Sequence, residues 1–397
     1  MKILLAHNFY QTGSPSGEDA VFRNEKLLLE QAGHHVIAFE KHNDTISTGI
    51  VDRAQAAMDA NWSLRSYREL RAVLVTQRPD VAHFHNTFPL LSPSAYRACR
   101  QERVPTVQTL HNYRLICPGA LLMREGRPCE LCIEGSVLSS IKHGCYRSSR
   151  SATTVVAAMS TLHRARGTYR TDVDRYIALT EFARHRFVRG GLPGDRIRVR
   201  PNCLMDNPPV GHGGGRFALY VGRLSAEKGV QTLVDAWSGI DYPLWIAGDG
   251  PLRSALEAAA HRCGAQIRFL GYQTREQVLS MMRDATMVVI PSECYEGFPV
   301  TVLEALASGT PLAVSAIGAL DEILQSPDNA LKFPPRDPIA LRATAMQLLA
   351  DTELRAAMRT MNRSLFERRY AAATALNSLL AIYAEIVQPV QAMPACA

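Results

Sequence analysis

Residues 287–304, Met-Val-Val-Ile-Pro-Ser-Glu-Cys-Tyr-Glu-Gly-Phe-Pro-Val-Thr-Val-Leu-Glu, run from an apolar strand candidate into a helix start, with Glu296 and Glu304 eight apart across it. A helix N-terminus presents N–H groups without intrahelical partners and the positive end of the backbone dipole, so it seats a phosphate. Carboxylates beside it are placed to accept hydrogen bonds from hydroxyls. The combination reads as a nucleotide-sugar site at the carboxyl end of a strand, where open α/β sheets bind their ligands.

The same strand-turn-helix unit recurs on both sides. Pro208, Pro209, Gly211, Gly213, Gly214 and Gly215 crowd into the stretch 205–216 without a core pattern, which marks an interdomain linker. Beyond it, strands are expected at Phe217 to Val221, Leu244 to Ala247, Ile267 to Leu270, Met287 to Ile290 and Pro311 to Val314. Before it, Lys2 to Ala6 leads into the polar loop Gln11 to Glu18, then a helix bearing Val21, Leu27, Leu28 and Leu29 that Gly33 stops. Further strands are expected at Val36 to Phe39, Val81 to His85, Thr106 to Leu110, Tyr176 to Leu179 and Ile197 to Val199. The expected class is α/β, with two Rossmann-like doubly wound domains at 1–205 and 206–370. The first carries a Cys-rich insert at about 112–150 and is completed by a C-terminal helix, 371–388.

Size agrees with two domains, since 397 residues exceed one ordinary core. A hydrophobic content of 47% with 20% charged residues is that of a soluble globular protein. The start, Met1-Lys-Ile-Leu-Leu-Ala, has no signal-peptide pattern, and no stretch approaches the roughly 20 apolar residues that span a bilayer. The expected location is cytoplasmic. A formal charge of +7 is concentrated among the arginines from Arg147 to Arg200, which face few acids in the same stretch. Such a cluster suits an anionic membrane or a phosphorylated acceptor at the inner face of a membrane, or else is a solvated surface. Nucleic acid is the weaker partner, because no zinc-finger, RRM or helix-turn-helix pattern accompanies the charge.

A second cationic feature bears on the opening stretch. The strand ending at Val221 runs into Gly222-Arg223-Leu-Ser-Ala-Glu-Lys228-Gly229, so two cations sit at a strand's carboxyl end. Arg223 and Lys228 can neutralise a diphosphate, and stabilising a diphosphate leaving group is the main catalytic need in glycosyl transfer from a nucleotide sugar.

Gly222-Arg223 to Lys228-Gly229, Ala247-Gly-Asp-Gly-Pro251 and the Glu296 to Glu304 pair together resemble the donor half of the retaining glycosyltransferases of family 4, glycosyl transferases group 1. The resemblance covers nearly the whole chain. It implies the GT-B fold, two facing Rossmann-like domains with a cleft between them. It also implies that Arg223 and Lys228 bind the diphosphate, Glu296 the donor-sugar hydroxyls and Glu304 the ribose. The backbone of Gly297 and Phe298 would approach sugar and phosphate, and Gly271 and Tyr272 would lie near the base. In the first domain, Gln11 to Ala20 resembles the family's Gly-rich loop, with Ser16 where a Gly is usual before Gly17. Thr109-Leu-His111-Asn112 resembles the segment whose His sits beside the donor sugar, Asn112 replacing a commoner Asp; Pro201-Asn202 resembles the turn that ends the first domain. The catalytic candidates are thus His111, Glu296, Arg223 and Lys228, with His83, His85 and Asn112 on the acceptor side.

The implied activity is transfer, with retention and without a catalytic metal, of a sugar from a nucleotide diphosphate to a glycan or polyprenyl-diphosphate-linked acceptor in cell-surface polysaccharide biosynthesis. A GT-B epimerase or hydrolase of nucleotide sugars and a noncatalytic nucleotide-sugar-binding scaffold are the competing readings. Asp172-Val-Asp174 has the spelling of a metal-binding Asp-x-Asp but precedes a strand instead of following one, and is expected to be a solvated turn. Cys117, Cys129, Cys132 and Cys145 form a C-x11-C-x2-C-x12-C array. Four soft ligands including a C-x2-C pair suit tetrahedral structural zinc. An iron–sulfur cluster, reversible disulfides or four unrelated thiols stay open. Cys99, Cys203, Cys263, Cys294 and Cys396 have no such partners.

Overall fold

The computed structural model describes residues 1–10, 16–46, 49–325 and 327–387. Two six-stranded, wholly parallel sheets organise them. The first is built from β1 (Lys2–Phe9), β2 (His35–His42), β3 (Val81–Phe84), β4 (Thr106–Leu110), β5 (Arg175–Ala178) and β6 (Ile197–Val199), in the order β2-β1-β3-β4-β5-β6. The second uses β7 (Ala218–Val221), β8 (Leu244–Ala247), β9 (Ile267–Gly271), β10 (Met287–Ile290), β11 (Leu312–Ser315) and β12 (Leu331–Phe333), in the order β9-β8-β7-β10-β11-β12. Helices on both faces explain the near-continuous apolar strands, since a doubly covered strand has no wet side. Ile3, Leu4, Leu5 and Ala6 are all fully buried, as are Met287, Val288 and Val289.

The strand orders locate the ligand site without reference to any side chain. Each sheet reverses direction once, between β1 and β3 in the first and between β7 and β10 in the second, and crevices open at the carboxyl ends of strands at such switch points. The residues delivered there are Asn8 and Phe9, His85 and Asn86, Gly222 and Arg223, and Ser292 to Glu296.

The stretch 205–216 has no helix or ladder strand, and the chain crosses back near 370. Leu204 and Ala371 pair in a parallel bridge where the two crossings run side by side. The last helix among the described residues, Ala372–Ala384, then lies on the first sheet, with Leu379, Ile382 and Tyr383 packed among Ile3, Leu5, Phe22, Val81 and Ile177. Each such side chain contributes roughly 1.5–3 kcal/mol by leaving water. Strand β12 had no counterpart in the sequence reading, because Leu-Lys-Phe is too short to show a period.

The Asp172-Val-Asp174 expectation is corrected. Asp172 is buried and faces Arg100 at 3.4 Å, and Asp174 Oδ2 accepts the Thr106 N–H at 2.8 Å. Both acids tie down the amino-terminal edge of the first sheet, away from the switch-point crevice.

Candidate active site

On the donor side, Lys228 is placed by a tight turn. Gly229 follows it at φ +65°, and a Cβ there would stand 1.9 Å from the Pro291 carbonyl oxygen, so only glycine lets this turn lie against the end of β10. Lys228 Nζ donates to Glu296 Oε1 at 2.7 Å, and the Ser292 hydroxyl donates to the same oxygen at 2.7 Å. Burial alone would lower the Lys228 pKa, but Glu296 outweighs it and holds the ammonium charged. Arg223 reaches Glu227 at 2.9 Å with its head largely in solvent. Helix Val300–Ala307 begins directly after Pro299 with no side-chain cap, so its first N–H groups are free to meet an anion. Glu304, one turn in, is buried, and burial pushes its carboxyl up to about 7 against the pull of Arg275.

The first domain brings a second helix N-terminus to the same place. Helix Gly17–Gln31 starts at Ser16, whose hydroxyl and Asp19 form a reciprocal capping box, and Gly17 stands against Val300: a Cβ at Gly17 would lie 3.8 Å from Val300 Cγ2. Gln11 to Pro15 of the polar loop fall outside the described residues. Asn112 donates to Glu18 Oε1 at 2.7 Å, which closes the base of this corner; burial raises the Glu18 carboxyl. His111 meets the second domain through its backbone, since a Cβ on Gly297 would come 2.5 Å from the His111 carbonyl oxygen. His111, Lys228, Glu296, Gly297, Glu304 and Gly17 therefore frame one cleft between the sheets. Beside His111 opens a small recess lined by His85, Asn112, Arg114 and Phe88.

One candidate stands elsewhere. His83 is fully enclosed, bonded to Thr109 Oγ1 at 2.7 Å and Tyr383 Oη at 2.8 Å, so it lies behind the acceptor wall and not on it. This corrects the sequence reading, and the reason is that β3 is a central strand whose alternate residues both meet helices. His85 is nearly enclosed and shows an edge to the recess. The Phe298 ring packs on Tyr370 and its carbonyl accepts from Asn202 at 3.3 Å, so this residue braces the hinge. Gly271 ends β9, the strand at the sheet edge, and Tyr272 beside it is 74% exposed.

Residues that the sequence reading passed over fill the space behind His111. Glu25 bonds Arg200 Nη1 at 2.6 Å, His83 Nδ1 at 2.9 Å and His85 Nε2 at 3.1 Å, and His85 Nδ1 bonds His111 Nε2 at 2.9 Å. The available signal was a carboxylate on an apolar stripe: Glu25 falls between Phe22 and Leu29 at helical spacing.

The arginine cluster is largely consumed by the fold. Arg175 and Arg198 grip Glu385, Arg186 and Arg189 grip Glu130, and Arg200 is buried on Glu25. Arg147, Arg150, Arg166 and Arg170 are exposed with no carboxylate partner among the described residues. The four cysteines of the insert are free thiols gathered in one locality. Burial raises the Cys117 thiol above its ordinary value, against a smaller downward pull from the backbone at Leu122, Gly119 and Ala120. No three of the sulfurs come within 4.8 Å of one another. Between Cys117 and Cys129, the hairpin 123–128 reaches the second domain, where Arg336 Nη1 donates to the Gly126 carbonyl at 3.1 Å.

Comparison with known proteins agrees with this layout. The family model "Glycosyltransferase Family 4" matches residues 27–204, and "Glycosyl transferases group 1" matches residues 208–364. An uncharacterized glycosyltransferase of Methanocaldococcus jannaschii is 34% identical over 142 residues, 34% of this chain and 36% of that one. The alpha-D-kanosaminyltransferase of Streptomyces kanamyceticus is 29% identical over 54% of this chain and 55% of its own length. These alignments thus span about a third to a half of the relatives. The GDP-mannose-dependent alpha-(1-6)-phosphatidylinositol dimannoside mannosyltransferase of Mycobacterium tuberculosis is 27% identical over 83% of each chain. Anabaena HepE in complex with UDP-glucose superposes with a TM-score of 0.69 at 16% identity, covering 97% of this chain and 100% of that one. Sucrose-phosphate synthase of Thermosynechococcus elongatus gives 0.72 at 17% identity, over 97% and 98%. With one model on each sheet and the GT-B arrangement of both, the chain belongs to the glycosyltransferases that join a family 4 first domain to a group 1 second domain.

Proposed function

We propose that the protein is a retaining glycosyltransferase that moves a sugar from a nucleotide diphosphate to a glycan or lipid-linked acceptor, in cell-surface polysaccharide biosynthesis. The observation that carries this is the meeting, at two switch points, of an uncapped helix N-terminus with the Lys228–Glu296 pair, opposite His111. Lys228 and Glu296 hold one another at 2.7 Å. A diphosphate gives the ammonium a doubly charged partner and frees Glu296 for the sugar hydroxyls. In the transfer, the anomeric C–O bond to the diphosphate breaks, and Lys228, Arg223 and the helix N–H groups take up the charge on the departing oxygen. The acceptor hydroxyl oxygen bonds the anomeric carbon on the same face, and its proton passes to that departing oxygen. Side chains and backbone N–H groups of the chain thus take up the leaving-group charge, and no catalytic metal is assigned. Glu304 is assigned to the ribose, and the recess beside His111 to the acceptor.

A screen of UDP-, GDP- and ADP-sugars for protection against thermal unfolding tests the donor site, because a ligand bound to the native state raises stability by mass action. Turnover must then require an acceptor and yield an α-linked product from an α-linked donor; turnover without acceptor points to an epimerase or hydrolase. If no nucleotide sugar protects at millimolar concentration, the donor assignment is wrong. The exposed Arg147, Arg150, Arg166 and Arg170 support docking on anionic lipid near a lipid-linked acceptor. Flotation with anionic vesicles, lost at high salt, is the expected result. The gathering of the four thiols in one locality supports a structural metal, with zinc first by donor chemistry. Less than a trace of metal in the purified protein removes that reading.

A further inference from the structure

Behind His111 runs a line of enclosed polar side chains that the transfer chemistry above does not use: His85, Glu25, Arg200 and, beyond His83, Tyr383. We infer that Glu25 and His85 are positioning residues that fix His111 as its Nε2–H tautomer, so that Nδ1 meets the ligand as a hydrogen-bond acceptor. What His111 faces rests on the transferase reading; the order of hydrogen bonds behind it does not.

The order follows from counting donors. Arg200 can only donate: its Nη1 stands 2.6 Å from Glu25 Oε2, and its Nε is spent on the Ala375 carbonyl at 3.1 Å. Burial would raise the Glu25 carboxyl, but Arg200, His83 and His85 outweigh it and hold it well below the usual carboxylate range. The ionised carboxylate has no proton to give, so His85 Nε2, at 3.1 Å from Oε1, must carry one. Burial lowers the His85 pKa, and a neutral imidazole has a single N–H. His85 Nδ1 is therefore bare and accepts from His111 Nε2 at 2.9 Å. Burial, with His85 and His7 nearby, also holds His111 far below its ordinary value, so its one proton is on Nε2. No protein atom among the described residues bonds Nδ1, and the ring borders the recess. The titratable and charged groups around the pair are Glu25, Arg200, His7 with Asp19 on its Nε2, His83 and Tyr383. A neutral imidazole at this place accepts a hydroxyl hydrogen and puts no positive charge against the positive charge that grows at an anomeric carbon.

Imidazole nitrogen NMR on protein labelled with nitrogen-15 at histidine reads the tautomer directly. In the unaltered protein at pH 7.5, without ligand, His111 is expected protonated at Nε2 and bare at Nδ1. In Glu25→Gln, Arg200 keeps the amide carbonyl and the NH2 group turns to the imidazoles. His85 Nε2 must then accept, its Nδ1 donates, and His111 inverts to Nδ1–H. The inversion should lower kcat about 10- to 100-fold, the size of one lost hydrogen bond to the ligand with its partner left unpaired. Nucleotide affinity, set by the other domain, should hold. Thr109→Val, which loses only a His83 contact, should leave the tautomer of His111 as it was. Finding His111 as Nδ1–H in the unaltered protein, or unchanged in a folded Glu25→Gln, overturns the inference. If the tautomers invert but no nucleotide sugar is bound or turned over, the inference stands and the transferase reading falls. Should Glu25→Gln not fold, the spectrum of the unaltered protein decides alone.

Discussion

Glu304 offers a test in which a single proton reports the site. The residue is 8% exposed, and its carboxyl has no side-chain hydrogen bond among the described residues and sits near Arg275, which is itself held by Asp206 at 3.1 Å. Its pKa is raised from an ordinary 4.5 to about 7, chiefly by burial. The folded protein thus keeps a proton that the unfolded chain has already lost between pH 4.5 and about 7. Stability from the neutral carboxyl is complete below pH 4.5 and is lost as pH rises through about 7. At about 1.4 kcal/mol for each tenfold in proton affinity, the raised pKa amounts to about 3 kcal/mol of strain above pH 7.5. Glu304→Gln mimics the neutral form at all pH values. Urea unfolding of both proteins at pH 5, 6, 7 and 8, without nucleotide, should show little difference at the acid end and the variant ahead by about 2–3 kcal/mol at pH 8. Hydroxyls donate to a carboxylate but less well to its neutral form, so nucleotide affinity should rise with pH up to about 7 in the unaltered protein and be flat in the variant. A difference in stability that stays constant from pH 5 to 8 would refute the account of a strained, proton-holding carboxyl.

Other outcomes follow from single contacts. Gly297→Ala places a methyl 2.5 Å from the His111 carbonyl, so the two domains must separate; kcat should fall about 10-fold or more, at a cost of about 1–3 kcal/mol in closure, with solution scattering showing a larger radius. Lys228→Ala leaves Glu296 without its cation and removes charge from the leaving group, and steady-state rates should show kcat/KM down by about 10²- to 10³-fold. Arg336→Ala cuts the tie to the Gly126 carbonyl, and hydrogen exchange should quicken over 117–132 while global stability moves by less than about 1 kcal/mol.

Much of the fold was legible because parallel, doubly covered strands announce themselves as short apolar runs between turn residues. Val81 to Phe84 and Met287 to Ile290 were read to within a residue for that reason. The pairing order was not legible, since nothing local says that β1 lies between β2 and β3. The same limit hid the Glu25 network, whose members Arg200 and Tyr383 are brought in from remote parts of the chain by the sheet and the returning helix. The donor residues were easier, because Lys228 and Glu296 each stand in a dense local pattern of glycines and strand ends. The arginine stretch was legible only in part: the acids that neutralise several of its members, Glu130 and Glu385, lie before and after it in sequence.

The two crossings between the domains have a mechanical consequence. A single tether would leave the second domain free to twist and slide as well as swing. Here the bridge between Leu204 and Ala371 holds the outgoing and returning backbones side by side, and Asn202 fastens the same spot to the Phe298 carbonyl. A paired ribbon resists torsion and shear far more than it resists bending, so it works as a flexure with one soft angular coordinate. Along that coordinate, opening carries Gly297 away from His111 and closing returns it to the same register. The reacting groups of the two halves can therefore part and meet many times without losing their alignment.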